Sequence, residues 1–261
     1  MKISKIYAVF IVLLFAISSA YGSSVKDPTA DLFLELTKDS AGTPWASAEK
    51  VRQFVKAGAN VNLKDVGEAF GYNSYTSARG ITMLMTASIY QNSPEIIHIL
   101  VNAGADVNAR SKENSSWRGQ PTPLLPKGLT ALMVAAGKQD PIIHTNVSAL
   151  IEAGADVNLQ DEAGFTALMY AAYFNYYEVV KAILDAKPDV NMQDNYGRTA
   201  LMLAVVNEND IDPQVVKALI DAGARADIKD NAGKTALDYA YTGFYRGKDK
   251  EKVMQILQDA L

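Results

Sequence analysis

Cysteine is absent from the 261-residue chain. Disulfides are thereby excluded, as is a lipid-modified cysteine behind a leader, so stability rests on burial alone. Histidine is nearly absent too. His98 and His144 are the whole supply, and a site of several His or Cys ligands cannot be built from them without carboxylates. Positive charge is not in excess, with 25 Lys and Arg against 29 Asp and Glu. Past the first residues no apolar run approaches the roughly 20 residues that span a bilayer. The sequence has no Gly-x-Ser-x-Gly elbow, phosphate-binding glycine loop or His-Glu-x-x-His pair. The usual hydrolase, nucleotide and zinc signatures are therefore missing, and neither a cofactor nor catalysis is expected.

What is plentiful is apolar: 49% of residues are hydrophobic and 21% charged, the composition of a folded protein. Lys2 and Lys5 precede an unbroken apolar run from Ile6 to Ile17, and Ser18-Ser19-Ala20-Tyr21-Gly22 follows with small residues. That layout predicts a secretory signal peptide over 1–22, cleaved after Ala20 or Gly22. The run is too short to cross a bilayer, so no membrane insertion is expected after cleavage. The expected destination is the periplasm, or else the cell exterior, and the Lys-rich leader suggests a bacterial source. Without the two leader lysines, 23 basic residues face 29 acidic ones. A net charge of about −6 argues against nucleic acid, which needs a basic face.

Internal repetition is the strongest signal. Ala57-Gly58-Ala59-Asn60-Val61-Asn62 recurs as Ala103 to Asn108 and as Ala153 to Asn158, with looser copies at Ala186 to Asn191 and Ala222 to Asp227. A second block, Gly128-Leu129-Thr130-Ala131-Leu132-Met133, has cognates starting at Gly164 and Gly197, and weaker ones at Gly80 and Gly233. Its threonines, Thr82, Thr130, Thr166, Thr199 and Thr235, are 48, 36, 33 and 36 residues apart. Each unit can start a helix on a threonine cap. Small residues such as Ala135 and Ala136 follow for close packing, and then comes a second helix with Val179, Val180, Ile183 and Leu184 at helical spacing. Gly154 sits after a second helix, where a left-handed turn suits glycine. One unit cannot bury its own apolar faces, so the stack is the folding unit.

These two alternating blocks resemble the ankyrin-repeat family, whose period is 33, over nearly everything from Asp31 to Leu261. The family's Thr-Pro-Leu-His appears as Thr-Ala-Leu-Met, which loses the histidine's bridge between neighbouring loops. The resemblance implies an all-α solenoid of stacked helix–turn–helix units with finger loops, six repeats including caps. A single domain over 23–261 is expected, with repeats at 29–63, 77–110, 125–160, 161–193, 194–229 and 230–261. Finger insertions fall at 65–79 and 111–127; Phe70, Tyr72 and Tyr75 lie in one and Trp117 in the other. Each is equally consistent with a binding loop and with tolerated length. Lys187-Pro188 replaces Gly-Ala after the fourth second helix and predicts an altered turn.

The family's partners contact fingertips and the exposed side of the first helices. Carried over, those positions include Phe165, Tyr196, Arg198 and Lys234 on fingers, with Ile89, Tyr90, Lys138, Tyr173, Phe174 and Asn207 on first helices. The candidate partner-binding residues are Tyr90, Trp117, Phe165, Tyr173, Phe174, Tyr196 and Arg198, since aromatics and Arg anchor interfaces. Against this, Tyr173 to Tyr177 could simply pack between helices. Ser47-Ala48-Glu49-Lys50 fits a Ser-x-x-Lys nucleophile motif without its companions, and Ser47 reads better as a helix cap. The acidic run from Glu208 to Asp212 lacks the glycine and glutamate of a calcium loop. Asn114 and Asn146 head glycosylation sequons only in a eukaryotic source. The expected function is non-catalytic protein binding by a monomer. An envelope factor that supports a neighbouring enzyme, and a small-ligand binder in the inserted loops, remain the alternatives.

Overall fold

A computed structural model describes residues 27–36, 46–63, 80–90, 93–112, 127–138, 143–206, 211–242 and 249–261, with the side chains of 89 and 90 outside the description. The expected leader, Tyr72, Trp117, Asn114, Asn207 and most of both insertions therefore lie outside the described residues, as does the Tyr90 side chain.

Threonine starts the first helix of each repeat. Thr82, Thr130, Thr166 and Thr199 accept the backbone N–H three residues on, at 3.2–3.4 Å. Thr235 adds a return bond, because Asp238 accepts its N–H at 2.8 Å. The resulting elements form six antiparallel pairs among the described residues. They are α1 (Pro28–Leu36) with α2 (Ala48–Lys56), α3 (Met83–Tyr90) with α4 (Pro94–Asn102), and α5 (Ala131–Ala136) with α6 (His144–Glu152). Then come α7 (Ala167–Tyr173) with α8 (Tyr177–Asp185), α9 (Ala200–Val206) with α10 (Pro213–Asp221), and α11 (Ala236–Thr242) with α12 (Lys250–Asp259). First helices stack on first helices and second on second. The result is a two-layer, all-helical solenoid.

The layers differ in side-chain volume. Ala135, Ala136, Ala171, Ala172 and Ala204 are fully buried between first helices, which can therefore approach closely. The second layer is filled by Ile96, Ile97, Leu100, Val180, Ile183, Val216 and Leu219, each contributing about 1.5–3 kcal/mol on burial. The middle of the first layer is the most buried: every residue of α5 is buried, and α9 is buried from Ala200 to Val205, whereas α7 exposes Tyr173 and α11 exposes Asp238, Tyr241 and Thr242. At the C-terminal end, α12 buries Val253 and Leu257 and turns Glu251, Lys252, Gln255, Gln258 and Asp259 outward, as a cap requires.

Four sequence readings change or gain a cause here. Ser47 occupies the cap position of α2 without a side-chain capping bond. Its N–H instead meets buried Glu35 at 3.3 Å, and Lys50 reaches the same carboxylate at 3.9 Å, so the Ser-x-x-Lys motif ties α1 to α2. Asp212 spends its carboxylate on Gln214 N at 2.8 Å as a helix cap. Asn146 is completely buried in α6 and cannot act as a glycan acceptor in the folded chain. Lys187 adopts φ +53°, a left-handed position that other repeats give to glycine. Lys187→Gly should relieve about 1 kcal/mol of that strain. Part of the gain is offset by a freer unfolded chain, leaving a rise of a few tenths of a kcal/mol in urea unfolding. A loss of stability would show that the lysine side chain contributes contacts that outweigh the strain.

Candidate partner-binding site

Fingers are built on a carboxylate. Asp161, Asp194 and Asp230 are all buried, and each accepts the N–H groups two and four residues ahead: Ala163 and Phe165, Tyr196 and Arg198, Ala232 and Lys234. The distances are 2.8–2.9 Å. The second carboxylate oxygen takes the Tyr170 hydroxyl at 2.6 Å, the Arg198 Nε at 2.8 Å, or the Tyr239 hydroxyl at 2.6 Å. Ser111 plays this part in the second finger. Its Oγ accepts from Leu129 N at 3.0 Å, and its backbone pairs with Leu129 and Gly128. Ser111 and Lys127 thus belong to the finger itself and hold together the two ends of the segment expected as an insertion.

Neighbouring fingers are tied to one another. Glu162, Asn195 and Asn231 donate backbone N–H bonds to Lys127, Ala163 and Tyr196 of the preceding finger at 2.8–3.1 Å. Gln160 Nε2 donates to Gly164 O at 2.7 Å and across to Gln193 O at 2.9 Å. Gln193 repeats this with Gly197 O and Lys229 O. These glutamines supply the loop-to-loop bridge that was lost with the histidine. A second ladder runs below the fingers, where Asn62, Asn108, Asn158 and Asn191 accept the backbone N–H of Asp106, Asp156, Asp189 and Arg225 at 2.8–3.0 Å. The outcome is a row of loops held rigid by side-chain amides.

On this row Phe165, Arg198 and Tyr196 converge. The Arg198 guanidinium lies 5.5 Å from the Phe165 ring centre and 5.0 Å from that of Tyr196, while Asp194 grips it at 2.7 Å. Phe165 packs in turn on Tyr170 at 5.2 Å. Tyr196 is 66% exposed. Beside it a shallow cleft of about 360 Å³ is lined by Tyr196, Arg198, Asp230, Asn231, Ala232 and Tyr239.

Tyr173 and Phe174 are not part of this group. They lie at the far end of α7, about 12 Å along the helix axis from Phe165. Phe174 stacks on Tyr176 at 5.8 Å and faces Gly137 of the preceding repeat, so it packs between helices. Tyr173 meets Phe174 edge-on and stays 39% exposed. Tyr173 is the more exposed of the pair, and Phe174 is partly buried. Among the described residues no cluster of His, Asp and Glu could hold a metal ion, and no helix is long and apolar enough to cross a membrane. His98 lies 3.8 Å from Glu152 of the next repeat, a pairing between helices.

Equal geometry does not give equal titration. Burial between neighbouring fingers pushes Asp161 above the usual 3.8, against the bonds from Tyr170, Phe165 and Ala163. Burial also acts on Asp230, but the bonds from Tyr239, Lys234 and Ala232 outweigh it and hold the carboxyl below 3.8. Bonds from Thr235 lower Asp238 similarly. The tyrosines are raised, chiefly by burial and then by their carboxylate partners, Tyr239 to about 12. A lowered carboxylate stabilises the fold above its unfolded value, and that stability is lost as pH falls through the folded one. A raised carboxylate does the reverse, stabilising below the unfolded value and losing that effect as pH rises. Acidification from about pH 5 downward should therefore loosen the last finger before the third. Amide exchange corrected for intrinsic rates should show Lys234 N–H losing protection ahead of Phe165 N–H. Simultaneous loss would refute the difference.

The chain is similar to known repeat proteins over most of its length. The model of the family described as "Ankyrin repeats (3 copies)" matches residues 84–194 and 184–258. A Treponema pallidum (strain Nichols) ankyrin repeat-containing protein is 29% identical over 150 residues, covering 55% of this chain and 41% of its own. Ankyrin repeat protein FPV031 of fowlpox virus (strain NVSL) is 31% identical over 125 residues, covering 48% of this chain and 29% of its own. This chain thus spans less than half the length of either relative. The crystal structure of EF0377, an ankyrin repeat protein, superposes with a TM-score of 0.65 at 22% identity, covering 91% of this chain and all of that one. The repeated threonine caps, the paired helices, the stacked fingers and these matches together place the chain in the ankyrin-repeat family.

Proposed function

We infer that the protein is an exported, non-catalytic binding module that holds a partner protein on its finger row, with Tyr196 at the centre of the contact. One observation carries this: Tyr196 is two-thirds exposed, yet it stands on an arginine locked between Phe165 and buried Asp194. An aromatic anchor on a rigid support loses little entropy on binding, which is the economy of a hot spot. Tyr173, exposed at the end of α7, adds a second aromatic to the candidate surface. The leader-like residues 1–22 support a site of action in the periplasm or outside the cell. Association without chemistry is the whole mechanism.

The test is capture from an extract of the source's own envelope or medium, with the exported protein as bait. A parallel bait carries Tyr173→Ala and Tyr196→Ala, two exposed positions whose loss should leave folding intact. A partner retained by the first bait and reduced at least tenfold on the second supports the reading, since anchors of this type contribute about 2 kcal/mol or more. Equal retention by both baits moves the contact elsewhere on the solenoid. Capture of nothing by either bait argues against a stable protein complex.

A further inference from the structure

The finger row carries charge opposite in sign to the rest of the chain. Its solvent-accessible cations are Arg110, Lys112, Lys127, Arg198, Lys229 and Lys234. Three of its carboxylates, on Asp161, Asp194 and Asp230, are buried and bonded to backbone N–H groups. Glu162 is the exposed acid on the described finger residues, while Asp238 beside the last finger is already bonded to Thr235. By contrast, the second helices and the turns that follow them expose Glu152, Asp156, Glu178, Asp185 and Asp189 beside Lys181 and Lys187, with Asp221 and Asp227 paired to Lys217 and Arg225. The overall negative balance therefore conceals a basic row with Phe165, Tyr196 and Tyr239 set along it.

We propose that this row takes an extended acidic segment of the partner protein, its carboxylates against the cations and its apolar side chains against the three rings. The proposal rests on the protein-binding reading above and names the chemistry of the partner. Stacked repeats advance by about 10 Å, so the second to fifth fingers span about 30 Å. An extended strand covers that in roughly nine residues. Glu162, in the middle of the row, decides between polyanions. A polypeptide can place an uncharged residue opposite it, whereas a nucleic acid brings a phosphate at every step. The negative remainder of the chain adds to the repulsion of a long polyanion. Arg198 and Arg110 are pre-set for the contact. The first is forked on Asp194 and the second reaches across to Gln160 O.

The probe is a short fluorescein-labelled peptide of alternating Glu and Phe, titrated with the exported protein at several ionic strengths. A Lys-Phe peptide and an oligothymidylate of equal length serve as comparisons. The Glu-Phe peptide is expected to bind, to weaken as salt rises, and to weaken at least tenfold when Lys127, Lys229 and Lys234 are all changed to Glu. Reversal of Glu178 and Asp185 to Lys, away from the row, should leave its affinity within about twofold. Helix content by circular dichroism checks that both variants fold. Equal binding of the Lys-Phe peptide, no effect of the triple reversal, or no binding at low salt would each overturn the proposal. Tighter binding of the oligothymidylate would overturn it in favour of nucleic acid. If the triple variant still captures a partner that the Tyr173→Ala/Tyr196→Ala bait has lost, the protein-binding reading stands and the acidic segment alone falls.

Discussion

Gly197→Ala should destabilise the protein by about 3 kcal/mol, while the same change at Gly233 should cost only about 1 kcal/mol. Both glycines hold the same turn of their fingers, at φ +77° and +78°. An L side chain there carries a penalty of about 1–2 kcal/mol, partly offset because alanine also restricts the unfolded chain. Their surroundings separate them. A methyl group on Gly197 would sit 2.8 Å from Asn231 N and 2.6 Å from Asn231 Oδ1, whereas nothing lies within 4 Å of the corresponding point on Gly233. To accommodate alanine at 197, the fifth finger must withdraw. That breaks the bonds from Asn231 N to Tyr196 O and from Asn231 Nδ2 to Asn195 O, worth about 1 kcal/mol each. Urea unfolding of the two variants measures the difference directly. Equal costs would mean that the fingers yield without resistance and that their stacking contributes little.

Asp194→Ala is expected to cost about 3 kcal/mol and to weaken partner binding with it. The side chain is fully buried. It accepts from Tyr196 N at 2.9 Å, from Arg198 N at 2.8 Å and from the Arg198 guanidinium at 2.7 and 2.8 Å. Its removal leaves two finger N–H groups without an acceptor and Arg198 without a counter-charge. Breaking one side of a buried ion pair costs about 3–5 kcal/mol. The lower end applies because Arg198 is partly exposed and can turn to water. Asp194→Asn keeps an acceptor for the two N–H groups and loses the charge, so it should fall between wild type and Asp194→Ala. Urea is the denaturant of choice, since guanidinium would screen the pair under study. If Asp194→Asn is as costly as Asp194→Ala, the ion pair and not the N–H cradle holds the finger.

The helical architecture was legible because its determinants are local and repeated. Each Thr-Ala-Leu-Met start carries its own cap, and each second helix carries its own apolar stripe. At Lys187-Pro188, where the sequence predicts an altered turn, the structure keeps the left-handed position with lysine in place of glycine. The finger core was missed, although its signal lies in the repeats: Asp161, Asp194 and Asp230 recur three residues after Asn158, Asn191 and Asp227. Taken one at a time they look like solvated loop acids. Their burial becomes visible only once successive fingers cover them. The candidate site was legible in part. Phe165, Tyr196 and Arg198 do meet. Tyr173 and Phe174 belong to the opposite end of α7, and Phe174 is taken up by packing against Gly137 and Tyr176.

By itself, then, the sequence determined the repeat, its two helices, their order and the family, because capping and helical periodicity act within a few residues. Tertiary structure decided what those units expose. Stacking buried α5 and most of α9 while leaving Tyr173 of α7 exposed, and it bridged the fingers with glutamines in place of histidine. It also gathered cations from separate repeats into one row that the net charge hides. Those outcomes depend on which side chains become neighbours across repeats 31–50 residues apart along the chain, a distance over which local propensity carries no information.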